Sequence, residues 1–435
     1  MSKLFVRALI ALFLVTNVAS ARADYLEVRN SARIRQAPTT ASHILAHAAT
    51  GTRLTVLDNG SQTNGFFHVD VPNTTQQGWV YHTRVTLRTE PPTPPAPPTP
   101  PSPLPAPAAQ MTVHYINLEQ GNAALLEFSC GAMLIDAGGQ DQTTTDTLIT
   151  YLKAFFARRT DLNNTFAGII ITHTHIDHNR ALESVVENFT VQNYVYNGHL
   201  ASNLSGSPGA NWMVNHANDN GRQVAIETVS ETDVEGASGS LSDSHIDPLH
   251  CADVTPDIRI VAGPYASNPG WTSADYKNEN NSSLVIRVQF GQSSFLFPGD
   301  QEEAAIAAML QRFSGSTALH TDVYEVGHHG SANGTTADQL TAVAPKIAVI
   351  SMGDTTDHGQ WTAWQYGHPR KSTIDLLENA IPTPRNPVKQ GALEATGQFT
   401  FVPVDIDKAI YATGWDGTIA ITADDLGNYS VKTEH

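Results

Sequence analysis

Apolar residues in this chain recur as short runs of strand length that end abruptly in polar or glycine-rich clusters. Met133-Leu134-Ile135 stops at Asp136, residues 168–171 stop just before His173, and Phe295-Leu296-Phe297 stops shortly before Asp300. Residues 322–326 lead into His328-His329, and residues 347–351 open a loop that reaches His368. Continuous apolar runs of this length, bounded by turn residues, predict strands buried on both faces. Between them, residues 146–158 space Leu148, Leu152, Phe155 and Phe156 at helical intervals, so this stripe faces a core. Residues 301–313 and 371–379 are further predicted helices. The result is an α/β unit in which each strand delivers a polar side chain to its end, where loops can converge on a site held by rigid strands.

The N-terminal part has a different pattern. Arg53-Leu54-Thr55-Val56-Leu57, Phe66-Phe67-His68-Val69 and Gly78-Trp79-Val80-Tyr81 are broken by Asn-Gly and Pro-Asn turns, which predicts a small all-β barrel over residues 24–88 with Trp79 in its core. Eleven of the seventeen residues from Pro91 to Pro107 are proline. Such a stretch lacks backbone donors and extends as polyproline II, so residues 89–109 form a stiff linker of roughly 50 Å. Residues 110–435 make the large unit. At the start, Lys3 and Arg7 precede an apolar run over residues 8–14, and Ala21-Arg22-Ala23 places small residues at both cleavage positions. Residues 1–23 therefore read as a signal peptide, and the mature chain as secreted or periplasmic with no transmembrane anchor.

Charge narrows the partners. Among 435 residues, 25 are Lys or Arg and 42 are Asp or Glu, a formal charge of −17. Removing the first 23 residues takes away Lys3, Arg7 and Arg22 and no acid, which deepens the negative balance. A broad basic face for duplex DNA or an anionic membrane is excluded, because such binding replaces counterions with Lys and Arg. A polyanionic substrate would need bound metal instead. The two cysteines, Cys130 and Cys251, are too few and too far apart for a thiolate metal site, leaving one disulfide or two separate buried thiols.

The densest chemistry is Thr172-His173-Thr174-His175-Ile176-Asp177-His178, directly after a predicted buried strand. In extended backbone, side chains two apart share a face. His173 and His175 can therefore bind one metal while the following turn aims Asp177 and His178 at a second. Imidazole and carboxylate donors together suit zinc, manganese or iron, and such sites keep positions open for water.

These motifs carry a resemblance. Glu119-Gln120-Gly121-Asn122, Leu134-Ile135-Asp136-Ala137-Gly138, the cluster at 173–178, Phe297-Pro298-Gly299-Asp300, Val326-Gly327-His328-His329-Gly330-Ser331 and Gly367-His368-Pro369 stand in this order. With them, residues 111–420 resemble the metallo-β-lactamase-fold hydrolases, in particular the nuclease-like domain of ComEC-type competence proteins. Trp415-Asp416-Gly417-Thr418-Ile419 resembles the start of the strand that closes such domains. The resemblance implies a four-layer αββα sandwich holding two divalent ions, zinc first and manganese second. It implies that His173 and His175 ligate the first ion, that Asp177, His178 and His368 ligate the second, and that Asp300 bridges them. Asp136 would orient a ligand histidine from behind, and His328 and His329 would face the scissile phosphate with Asp177 on the catalytic side. A third histidine on the first ion is also implied; His199 is chosen because it follows the strand-like residues 191–196, over His216, His245 and His250. The latter two lie in a Gly/Ser/Asp-rich stretch read as a surface loop. Asn122 departs from the pattern's aspartate, and Asn179-Arg180-Ala181 replaces its glycine-rich step.

The small unit resembles bacterial SH3-like (SH3b) domains through Arg33-Ile34-Arg35-Gln36-Ala37-Pro38, Gly51-Thr52-Arg53-Leu54-Thr55-Val56, Gly65-Phe66-Phe67-His68-Val69 and Gly78-Trp79-Val80, with Ala37 where glycine is usual. That resemblance implies docking on cell wall or another envelope ligand. The expected function is a secreted dinuclear phosphodiesterase or nuclease acting on DNA or another phosphodiester. Two alternatives accompany it: a hydrolase of a phosphocholine ester, lactone or β-lactam, and a non-catalytic envelope-binding protein.

Overall fold

The computed structural model describes residues 24–89, 109–200, 208–237, 240–397 and 399–435; the segment read as a signal peptide and nearly all of the proline-rich stretch lie outside these residues. The chain divides into two compact units, Met1–Pro98 and Thr99–His435.

In the large unit, alternation along each strand decides which layer a side chain enters. Val113, Tyr115, Ala124, Leu126, Met133, Ile135 and Ile170 point to one core, while Leu125, Leu134 and Ile169 point to another. A strand buried on both faces must be apolar at every position, which is why these runs are continuous in the sequence. Among the described residues, one sheet of eight strands runs in the order Ala225–Thr228, Asn193–Tyr196, Gly168–Ile170, Ala132–Ile135, Ala124–Glu127, Gln110–Tyr115, Ile419–Asp424, Tyr429–Thr433. A second sheet of six runs Asp257–Ala262, Val285–Phe290, Ser293–Phe297, Val323–Glu325, Ile347–Ile350, Ile410–Ala412. The larger core lies between them, joining Val113 and Ile135 of the first sheet to Ile286 and Phe295 of the second. The closing strand expected after Trp415 is present, paired antiparallel with Gln110–Tyr115.

Helices cover the outer faces. The predicted stripe lies on helix Gln142–Arg158, where Leu148, Leu152, Phe155 and Phe156 are fully buried against Leu134 and Ile169. Asp141 caps this helix by accepting from the Thr144 amide at 2.9 Å. Helices Glu303–Arg312 and Lys371–Ala380 contribute Met309, Ile374 and Leu377 to the other core. The fold is the four-layer sandwich of the metallo-β-lactamase type. Among the described residues no helix is long and apolar enough to cross a membrane.

The small unit is all-β, with one sheet of three strands and one of five packed around Leu26, Ile34, Leu54, Phe67, Val69 and Val80. The expectation that Trp79 fills this core is corrected. Strand Gln77–Tyr81 turns Gly78 and Val80 inward, so period two puts Trp79 on the other face, half-buried and stacked on His68 at 4.4 Å.

Cys130 and Cys251 form a disulfide. It ties the turn after strand Ala124–Glu127 to the stretch read as a surface loop, in which Ile246 and Leu249 are in fact buried. The bridge spans 121 residues, so it removes much unfolded-chain entropy. Replacing both cysteines by alanine should lower unfolding stability by about 2–4 kcal/mol. Denaturant melts should show reductant weakening the native protein and leaving the double variant unchanged; equal sensitivity of both would contradict this.

Candidate metal centre

The site is assembled where two loops interlock. Asp136 leaves strand Ala132–Ile135 with φ +60°, a left-handed conformation unusual outside glycine. Two residues on, Gly138 lies so close to the cluster loop that a Cβ there would stand 1.6 Å from the Asp177 carbonyl oxygen. The Ala137 amide donates to the His178 carbonyl and the Asn122 amide to the Asp177 carbonyl, both at 2.8 Å. The backbone carrying Asp177 and His178 is thereby clamped before any ligand arrives.

Asp136 itself is fully buried and spends its oxygens on orientation. Oδ1 accepts from the Thr172 amide at 2.7 Å; Oδ2 accepts from Asn122 Nδ2 and Thr172 Oγ1, each at 3.0 Å, and lies 2.7 Å from His178 Nδ1. A proton held on Nδ1 leaves His178 Nε2 as the free nitrogen. Nε2 is buried without a hydrogen-bond partner, 3.2 Å from Asp300 Oδ2. His329 repeats the device. Its Nδ1 donates to the Ser351 carbonyl at 2.7 Å, and its buried, unpartnered Nε2 lies 3.5 Å from both Asp177 Oδ2 and Asp300 Oδ2. Beneath it, Ser351 Oγ donates to Glu325, a fully buried carboxyl pushed up to about 7 by burial and then by Asp136.

Asp177, His178, Asp300 and His329 each offer a donor atom, all within 4.8 Å of one another. Beside them, His173 Nε2 and His175 Nδ1 approach to 3.1 Å. Two nitrogens 2.0–2.1 Å from one tetrahedral zinc stand about 3.3 Å apart, so this pair is spaced for a shared ion. His173 Nε2 is also 3.9 Å from Asp300 Oδ2. Electrostatics agree with a cation at the centre. Burial, then His178 and His175, hold His173 well below the usual histidine range. Burial works against ionising Asp300, yet His178, His329 and His328 hold it well below the carboxylate range. Buried donors with their outer nitrogens already engaged and their inner ones orphaned fit divalent metal.

A cavity of about 350 Å³ opens over this cluster, lined among others by His175, Asp177, Asp300, His328, His329 and His368. His328 and His329 both adopt left-handed backbone, at φ +50° and +53°. His328 places Nδ1 3.1 Å from Asn333 Oδ1 and Nε2 4.0 Å from Asp300 Oδ2. His368, expected on the second ion, lies on the wall with Nδ1 3.1 Å from the Gln120 amide nitrogen and its ring 6.1 Å from that of His329. It is His329, expected to face substrate, whose nitrogen enters the four-group cluster. His199 is not brought into either group: it is part-exposed, with Nδ1 2.8 Å from Glu279 Oε2. Of the other candidates, His216 pairs with Asp219, His250 is exposed, and His245 joins Glu227 and Asp243 in a separate, more exposed group. Sequence reasoning did not single out Arg180, Trp361 and Tyr366, which also line the cavity. The departure at Asn179-Arg180-Ala181 marked the first of them.

The sequence pattern of the Metallo-beta-lactamase superfamily matches residues 116–354, more than half of the chain. The chain belongs to this superfamily. The chain is also similar to bacterial proteins that include competence proteins. It is 25% identical over 290 residues to ComE operon protein 3 of Bacillus subtilis, covering 63% of this chain and 31% of that one. It is 33% identical over 104 residues to competence protein ComA of Neisseria gonorrhoeae, covering 24% and 15%. The chain thus spans about a third or less of the length of these relatives. The metallo-beta-lactamase fold protein YhfI from Bacillus subtilis aligns with 74% of this chain and 100% of its own at 8% identity and a TM-score of 0.37.

Three substitutions test the centre. Asp136→Asn should keep the fold and weaken metal affinity by about 10–100-fold in chelator competition; unchanged affinity would contradict orientation of His178 by this carboxylate. Elemental analysis should find metal lost from His329→Ala and retained in full by His199→Ala, and the reverse pattern would overturn the placement.

Proposed function

We propose that this protein is a secreted, metal-dependent phosphodiesterase, in the first instance a nuclease, held at the cell envelope by its N-terminal unit. The observation that carries this reading is the cluster of Asp177, His178, Asp300 and His329 beside the His173–His175 pair, under one open cavity. His173, His175 and Asp300 would hold one ion, and Asp177, His178, Asp300 and His329 a second. Imidazole and carboxylate donors suit zinc first and manganese second. When bound, such ions supply Lewis acidity toward a phosphoryl oxygen and acidify water near neutral pH.

The chain's own residues supply position and protons. Arg180 is tethered by its Nε to the Gly139 carbonyl at 3.0 Å and lines the cavity, which leaves the rest of its guanidinium for a phosphate oxygen. His328, donating from Nδ1 to Asn333, can hold or deliver a proton at Nε2 on the cavity side, the role a leaving oxygen requires. His368 and Gln120, paired with each other, form another part of the cavity wall. Similarity to competence proteins supports a nucleic-acid phosphodiester over a β-lactam. The signal-peptide pattern and the Cys130–Cys251 bridge support an oxidising compartment outside the cytoplasm. An SH3-like role for the small unit is part of the same proposal, with Trp79 and the exposed Tyr81 on its outer face available to an envelope ligand.

The mature protein loaded with zinc or manganese should cleave single- or double-stranded DNA, lose activity with chelator, regain it on metal return, and lose it in His175→Ala. Full metal loading without cleavage would overturn the nuclease reading and direct attention to a small ester substrate.

A further inference from the structure

The loop between strand Ile347–Ile350 and His368 carries two tryptophans in contrasting settings. Trp364 is accounted for by packing: its ring lies 4.4 Å from that of His358, nearly parallel at 20°, and 4.2 Å from that of Phe399. Trp361 is not. It is 61% exposed, its backbone sits at φ +64°, and it lines the cavity over the metal centre. The loop holds it there, since its amide donates to Gln365 Oε1 and Thr362 caps the next turn by accepting from the Gln365 amide at 3.3 Å. An aromatic side chain held in the lining of a cavity that also carries a few convergent polar groups is placed to contact a ligand.

The neighbouring rings give the ligand's shape. Trp361 lies 6.4 Å from Tyr366, Tyr366 lies 5.7 Å from His368 at 20°, and His368 lies 6.1 Å from His329 at 22°. Flat surfaces thus lead from the metal cluster to the rim. Charge gives the rest: among the described residues Arg180 is the single Lys or Arg lining the cavity, in a chain of formal charge −17. With so few basic side chains at the site, ring faces supply affinity for a strand beyond what Arg180 and bound metal provide.

We propose that Trp361, backed by Tyr366, is a stacking platform for an unpaired nucleobase next to the scissile phosphate, with Arg180 on a phosphate oxygen, so that the site selects single-stranded nucleic acid. A base inside a duplex has both faces covered by its neighbours and cannot use this platform. This specificity rests on the phosphodiesterase reading above.

The test uses the mature, manganese-loaded protein on a single-stranded oligonucleotide and on a strand of equal length whose sugars all lack bases. The base-bearing strand should have a KM about tenfold lower. Trp361→Ala should raise that KM to the abasic value with kcat within about twofold, Trp361→Phe should keep most of the difference, and cleavage of the abasic strand should be unchanged in both. Log KM should depend on log salt with a slope of magnitude about 0.7, reflecting a single phosphate contact on a single strand. Equal KM for the two strands in the native protein, or a difference that survives Trp361→Ala, would overturn the platform while leaving the phosphodiesterase reading in place. Failure of the metal-loaded protein to cut either strand would overturn that reading, and the platform with it.

Discussion

One buried oxygen organises this protein. Asp300 Oδ2 stands within 4.0 Å of ring nitrogens from His173, His178, His328 and His329. Gathering a carboxylate and several imidazoles away from water is costly unless each polar atom has a partner, and Asp177 adds a second negative group to the same space. The arrangement persists because the sheets hold the backbone that carries it, and because the outer nitrogens of His178 and His329 are already bound to Asp136 and to the Ser351 carbonyl. What stays unpartnered is the inner nitrogen, Nε2, of both His178 and His329, which is the condition a divalent cation satisfies.

The two sheets matter to function chiefly as a frame. Neighbouring strand ends present Asp136 and the 173–178 cluster from one sheet, and Asp300, His328-His329 and the approach to His368 from the other. The core between the sheets makes those ends meet along one edge. Strained backbone is found there, with Asp136, His328 and His329 in left-handed conformation while the strands behind them are regular. Gly138 shows how tight the junction is, since any side chain would collide with the Asp177 carbonyl.

Much of this was legible in the sequence, for definite reasons. Strands buried on both faces leave continuous apolar runs, so 133–135, 168–171 and 295–297 could be read directly, and the helical stripe at Leu148, Leu152, Phe155 and Phe156 proved to be core. The histidines and aspartate of 173–178 were visible as a cluster because they are adjacent in the chain. Partners separated by long stretches were less so. Pattern alone could not tell that His329 joins the four-group cluster while His368 lines the cavity, since that depends on where the folded loops set each ring. It also led to His199, a histidine after a strand, whose actual neighbour is Glu279, 80 residues away. Trp79 was misplaced through strand phase: a large aromatic next to Val80 reads as core until the alternation of Gly78 and Val80 is fixed in space. Trp361 and Arg180 lay in stretches without periodicity, where only the folded loop shows that they face the cavity.

The most direct test of the central claim is the metal content of the mature protein and of Asp300→Asn, measured by elemental analysis after exhaustive dialysis. Two divalent ions per chain in the native protein, falling to one or none in a variant that remains folded, is the result this account predicts. A native protein that retains no metal, or a variant that retains the full complement, would contradict it.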